Sequence, residues 1–208
     1  RHFVYQERGQ ILGHISMIRF FENTWLFHHH ASVGARRAGL IVLDQIGRYV
    51  NDVYNMHSSH MQYVLCYFRP ENRFPDRVFG GYARHLADPK LCSLDDFAHV
   101  LLRKSASSHA LPAWMTLEPS PSSDLFELED YYSYMGGGLM LTAFELNPAS
   151  PAPAPIKGIY EKSGMKRDRR LFSLREGRNL KAVFMVNTSD FGLNMSNLTN
   201  CVTVFILD

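Results

Sequence analysis

The chain is short of cysteine. Only Cys66, Cys92 and Cys201 occur in 208 residues. An odd, widely spaced set excludes a disulfide framework and has no zinc-ligand spacing. It predicts reduced thiols and a cytoplasmic setting. Charge of one sign is also missing: 22 basic side chains face 20 acidic ones, for a net charge of +2. That excludes the basic footprint of a nucleic-acid binder. No apolar run approaches the roughly 20 residues of a membrane span, and no signal peptide is present. What remains is ordinary globular composition, 46% hydrophobic and 20% charged, enough for one large core or two small ones. The chain opens at Arg1 in a strand-like run and closes on VTVFILD. It reads as a piece of a longer polypeptide.

Hydrophobic patterning predicts an order of elements. Residues 2–7 and 11–21 read as strands about the turn Arg8-Gly9-Gln10, and Thr24–His30 as a third, aromatic strand. Leu40, Leu43, Ile46, Val50 and Val53 recur at helical spacing. Residues 62–68 (QYVLCYF) read as a strand buried on both faces. Residues 93–103 fit a helix capped by Ser93, or a strand. The Ser- and Pro-rich stretch 105–123 reads as a linker. Beyond it come a helix capped by Asp124, a second Pro-rich connector at 147–157, a helical turn or two over 156–163, a hairpin about Gly177-Arg178-Asn179, and a last strand, CVTVFIL. The two hairpins, QERGQIL and REGRNLK, point to two related domains. The predicted division is 1–104, the linker 105–123, and 124–208.

The stretch 34–39, GARRAG, stands between a strand and a helix. A helix start offers unpaired N–H groups and a positive dipole end, and small residues let a phosphate approach them. Arg36 and Arg37 add charge there. The bland reading is a turn with a solvated arginine pair.

The order strand, strand, strand, helix, strand, followed by an Asn-containing turn, resembles the central part of the GNAT superfamily of acyltransferases. The family carries Gln/Arg-x-x-Gly-x-Gly/Ala before its central helix. Arg36-Arg37-Ala38-Gly39-Leu40-Ile41 matches the Arg and first Gly and departs at Ile41. The resemblance implies an α/β (α+β) fold with a mixed, largely antiparallel sheet flanked by helices, in two related domains. It implies binding of acetyl-CoA or another acyl-CoA by Ala31, Ser32, Gly34, Arg36, Arg37, Ala38 and Gly39, with Asn72 after the next strand. It implies Tyr82 as the acid that protonates the leaving thiolate. The expected activity is acyl transfer to an unidentified amine, without a covalent intermediate. The competing expectation is a degenerate, non-catalytic GNAT-like module for ligand sensing or protein interaction. Chains of this look occur beside PilZ domains in bacterial signalling proteins, so fusion to other signalling domains is a further expectation.

On a regular strand His28 and His30 share one face and His29 the other. A neutral His28 or His30 facing the substrate serves as general base; the equally weighted alternative is packing with wet polar tips. Two histidines at i and i+2 can chelate a metal, but a third ligand must come from elsewhere; His14 and Glu22 on neighbouring strands are candidates that no spacing demands, so no metal is predicted. Trp25, Phe27, Tyr63, Tyr67 and Phe68 read as core, with an acyl pocket as the alternative. Asn187-Thr188-Ser189-Asp190-Phe191-Gly192 fits the cyclic-diguanylate pattern Asp/Asn-x-Ser-x-x-Gly of PilZ domains. The upstream Arg-x-x-x-Arg is missing, and a hairpin-end turn is preferred.

Overall fold

The computed structural model describes residues 1–33, 36–54, 56–103, 110–148, 154–190 and 200–207. It is a mixed α/β structure with two four-stranded, antiparallel-rich sheets and flanking helices. Two compact units divide the chain. The first comprises Arg1–Val78 and Ala143–Glu145; the second comprises Phe79–Thr142 and Leu146–Asp208.

In the first unit, strands β1 (His2–Glu7), β2 (Gln10–Arg19), β3 (Thr24–Ser32) and β4 (Tyr63–Cys66) lie side by side in chain order. Arg8 and Gly9 both take positive φ, 48° and 79°, which suits a two-residue hairpin turn to the right-handed twist of its strands. β1, β2 and β3 pair antiparallel, while β3 and β4 pair parallel. A parallel pair needs a crossover, and helix α1 (Arg36–Val53) supplies it. Ile15 and Met17 of β2 meet Val42 and Ile46 of α1 and Met61 in one buried cluster. Trp25 and Phe27 pack against that cluster, and the Trp25 indole N–H donates to the carbonyls of Ser59 and His60, each at 3.1 Å.

Two expectations shift here. The buried stripe of α1 is Ala38, Val42 and Ile46, whereas Leu40 is exposed. An i, i+4, i+8 row at the helix start faces the sheet, and the more conspicuous leucine does not. Strand β4 is not buried on both faces. It is the last strand in its sheet and Val64 is 40% exposed. Its apolar run reflects one covered face and an edge position.

The short segment Ala143–Glu145 belongs to the same unit. The Thr24 hydroxyl donates to the Ala143 carbonyl at 2.6 Å, and the Asn23 N–H donates to the Glu145 carboxylate at 2.9 Å. The Phe144 ring lies 5.5 Å from that of Phe21.

In the second unit, strands β5 (Met115–Pro119), β6 (Arg167–Glu176), β7 (Asn179–Ser189) and β8 (Cys201–Ile206) form an antiparallel sheet in that order. β5 lies inside the stretch 105–123 read as a linker: its pairing with β6 recruits residues whose composition carries no strand signal. Helices α2 (Arg73–Pro75, in the first unit) and α3 (Gly81–Leu86) flank a π-helical turn over Asp76–Gly80. α4 (Ser122–Gly136), α5 (Leu139–Ala143) and α6 (Ala154–Lys162) follow. α4 starts two residues before Asp124, and Asp124 is buried rather than capping. Its carboxylate forms an ion pair with Arg175 of β6. No regular element forms over 93–103, which is neither the predicted helix nor a strand.

Candidate functional site

The histidine run is where β3 departs from regularity. His29 has φ of 53°, in the left-handed region that non-glycine residues seldom occupy. The register with β2 shifts at the same place: His28 pairs with Ser16 and Ala31 with His14. Two residues of β3 therefore stand opposite Ile15 alone, a β-bulge. The bulge corrects the predicted alternation, and His28 and His30 do not share a face. His28 falls on the Ser16 side of the sheet. His30 turns toward α1, where its Nε2 lies 3.2 Å from the Gly39 carbonyl and its ring stacks on Phe74 at 5.2 Å. His30 is thus held at the start of α1 by a stack and a hydrogen bond, the packing alternative.

On the Ser16 side the imidazoles gather. His28 Nδ1 and His29 Nδ1 are 2.8 Å apart. His2 Nδ1 and His14 Nε2 are 3.1 Å apart, and the Ser16 hydroxyl lies 3.1 and 3.2 Å from them. His14 Nδ1 is 3.1 Å from the His29 carbonyl. A carbonyl only accepts, so His14 carries a proton on Nδ1 in that bond. The bulge is therefore clamped by a side chain from the neighbouring strand. Sequence reasoning passed over His2, weighed His14 only as a third metal ligand and turned His29 to the opposite face; the QERGQILGH hairpin contained the signal, because pairing about Arg8-Gly9 brings His2 and His14 to neighbouring strands.

The His28 imidazolium is disfavoured. Desolvation, then the charges of His29, His2, the N-terminal amine and His14, lower its pKa to about 4. The ordinary value is about 6.5. The unfolded chain binds a proton at this position between those two pH values and the folded chain does not, so stability rises with pH across that window and falls as pH drops from about 6.5 to 4. We expect the His28 Cε1–H resonance to titrate near pH 4 in NMR, and thermal stability to decline over the same interval. A His28→Asn variant should show a shallower decline. Titration of His28 at an ordinary imidazole pKa would refute the assignment.

The site's second feature is an opening. β3 and β4 pair only over Thr24–Phe27 and Tyr63–Cys66, whereas β3 continues to Ser32. Past Phe27 the β4 side of β3 carries no ladder partner in that register, at the mouth between two parallel strands. Ligands in α/β proteins gather at such carboxyl ends. Ala31 and Ser32 lie on this stretch. Gly39 lies beside it: a Cβ there would meet Ser32 Oγ at 3.2 Å and His30 Nε2 at 3.4 Å. Ala38 is buried at the helix start and Arg37 is exposed. Arg36 begins α1, while its side chain, like Gly34 and Ala35, lies outside the described residues.

Gly13 is a site residue that the sequence reading missed. A Cβ there would lie 2.8 Å from the Ala38 carbonyl oxygen, so only glycine lets the first turn of α1 settle this close to β2. Asn72 precedes α2 and is exposed. Its side chain makes no cap hydrogen bond there. Tyr82 is in α3 of the second unit and is 62% exposed. Asn187, the first residue of the nucleotide-like pattern, is a buried β7 residue paired with Arg169 and Cys201. The pattern's last two positions, Phe191 and Gly192, lie outside the described residues.

Among the described residues no group of three or more His, Cys, Asp or Glu is placed to hold a metal. Nor is any described helix long and apolar enough to cross a membrane. No protein-family model matches this chain, and no curated protein matches it.

Proposed function

We propose that the first unit binds an acyl thioester in the manner of the GNAT acyltransferases and passes its acyl group to an amine. The observation that carries this reading is the parallel β3–β4 pair, bridged by α1, whose pairing stops at Phe27 while β3 runs on past a bulge to Ser32. The pantetheine arm of coenzyme A is a chain of amides, and the main chain of Ser32, which the β2 register leaves pointing away from β2, offers it strand-like hydrogen bonds, with Ala31 beside it. The pyrophosphate would lie against the N–H groups at the start of α1, with charge from Arg36 and Arg37. Asn72 and Tyr82 enter through the resemblance alone.

The chemistry is direct displacement. The amine nitrogen loses a proton and attacks the thioester carbonyl carbon, the C–S bond breaks, and the thiolate takes a proton. His28 stays neutral throughout the physiological range, and so is free to accept the ammonium hydrogen. A pKa of about 4 makes it a hydrogen-bond acceptor that orients the amine and passes its proton on to solvent water rather than keeping it.

That weak basicity, the locked His30 and the bulky Ile41 favour a second reading, a GNAT-like module that binds ligand without turnover, in a bacterial signalling protein. One titration series separates the readings. Calorimetry with acetyl-CoA and with CoA should show saturable binding that drops at least about tenfold, roughly 1.4 kcal/mol, in Arg36→Ala/Gly39→Val. Binding with amide formation in an amine screen supports the transferase, and binding without it supports the module. A folded chain that binds neither ligand overturns both.

A further inference from the structure

We propose that His2, His14 and Ser16 form an open site for a borderline divalent transition-metal ion, of the zinc or nickel class, on the face of the first sheet opposite α1. The set is distinct from His28 and His30, and it does not rest on the acyl-thioester reading. The backbone builds it. His14 and Ser16 are two residues apart on β2 and so share a face, and His2 of β1 stands opposite Ser16 in the register. The alternate residues Ile15 and Met17 belong to the cluster with α1 on the other face.

Three donor atoms stand at the corners of a nearly equilateral triangle. His2 Nδ1 and His14 Nε2 are 3.1 Å apart, and the Ser16 hydroxyl oxygen lies 3.1 Å from the first and 3.2 Å from the second. An ion held about 2.05 Å from nitrogen or oxygen ligands separates neighbouring ones by about 2.9 Å in an octahedron and about 3.3 Å in a tetrahedron. The observed edges fall between the two, so the triangle matches one face of either polyhedron. The His14 ring carries an independent sign of the same role. Its Nδ1 lies 3.1 Å from the His29 carbonyl, which keeps the proton on Nδ1 and turns the Nε2 lone pair to the triangle. Imidazoles that bind metals through one nitrogen almost always donate the other N–H to a carbonyl, carboxylate or water.

Burial decides the form of the site. Ser16 is 1% exposed and makes the floor, while His2 is exposed and His14 half-buried, which leaves the outer coordination positions to water. Imidazole nitrogen selects zinc, nickel or copper over calcium and magnesium, which take oxygen ligands. Two imidazoles and a hydroxyl are fewer than the three His, Cys, Asp or Glu ligands that no group of described residues supplies, so the ion exchanges with solvent and is not a structural one. Bound, it ties β1 to β2 and, through His14, steadies the carbonyl of the bulge residue.

Calorimetry of the whole chain at pH 7, stripped with chelator and free of any affinity tag, tests this with Zn²⁺ and Ni²⁺, and with Mg²⁺ as the control. Zn²⁺ and Ni²⁺ should bind saturably and Mg²⁺ should not. His2→Asn and His14→Asn should each lower the Zn²⁺ affinity by at least about tenfold. His2 is exposed, so its substitution leaves the fold intact even where loss of the His14 clamp loosens the bulge. Long-range proton–nitrogen NMR of the wild-type chain supplies a second readout, because it names the ligating atoms. With Zn²⁺ bound, His2 should coordinate through Nδ1 and His14 through Nε2, with the His14 Nδ1 proton retained. No saturable binding, an affinity that survives either substitution, or coordination of His14 through Nδ1 would each overturn the proposal.

Discussion

Asp124→Ala unfolds the second unit at a temperature lower than wild type by about 10 °C or more. Asp124 is 0% exposed, three residues into α4, and its carboxylate accepts from Arg175 Nη2 and from Arg175 Nε, the latter at 3.3 Å. The pair ties the first turn of α4 to the middle of the sheet. Burial pushes the Asp124 pKa up, but hydrogen bonds from Arg175 and Ser173, the Arg175 charge and a bond from Ser123 outweigh it and leave the carboxyl below its ordinary value. Removing one member of such a pair costs about 3–5 kcal/mol, because the other charge is left poorly compensated. In a unit of this size that is a shift of about 10 °C or more. Here Glu127 stands 3.7 Å from Arg175 and recovers part of the loss, which puts the expected value at the lower end. The linkage has a definite sign. A depressed carboxyl pKa contributes stability above the unfolded value of about 3.9 and loses it as pH falls through the folded one. The variant should therefore lose less stability than wild type on acidification below pH 4. The double change Asp124→Leu/Arg175→Met should recover much of the stability, since apolar replacement of both members is often neutral. Differential scanning calorimetry at pH 7 and pH 3 measures all of this. An Asp124→Ala transition within a degree of wild type would show that the pair contributes nothing.

Gly13→Val moves α1 and takes the candidate site with it. The added Cβ would sit 2.8 Å from the Ala38 carbonyl oxygen and 3.2 Å from a Val42 methyl. The nearest atom is backbone, so a side-chain rotation offers no relief and the helix must shift. Overpacking of this kind costs about 1–3 kcal/mol, and the β-branched γ-methyls of Val add to the clash. The consequence is local. The first turn of α1 rises off β2, and with it goes the Gly39 contact to His30. We expect acetyl-CoA affinity, measured by calorimetry, to fall further than global stability does. Gly47 is the control: a Cβ there meets nothing within 4 Å, so Gly47→Ala should raise stability by about 0.5–1 kcal/mol through helix propensity. Loss of ligand binding in Gly13→Val at temperatures well below its lowered melting transition would confirm the positional role, and unchanged binding would refute it.

Much of the architecture was present in local pattern. Arg8-Gly9 and Gly177-Arg178 announce two-residue hairpins, and the runs on either side alternate as half-buried strands do. The helical period over 36–53 is long enough to survive the exposure of Leu40, since Ile46 is buried and Leu43, Val50 and Val53 pack against the same cluster. These signals are local because turn dihedrals and side-chain periods depend on neighbouring residues only. The bulge at His29 is different. Nothing in HHH announces a left-handed residue; it arises where the register of β2 against β3 slips by one, with His14 bonding the His29 carbonyl. The burial of Asp124 is equally non-local, since a Ser-Ser-Asp helix start reads as a cap until Arg175, 51 residues on, claims the carboxylate. Strand β5 was hidden because Pro and Ser surround it, and edge pairing tolerates what a central strand would not. By itself, then, the sequence determined the hairpins, the crossover helix and the composition classes excluded. Tertiary structure alone decided which histidine faces which side, which glycine admits the helix and which charge is buried, because each depends on residues brought together from distant parts of the chain.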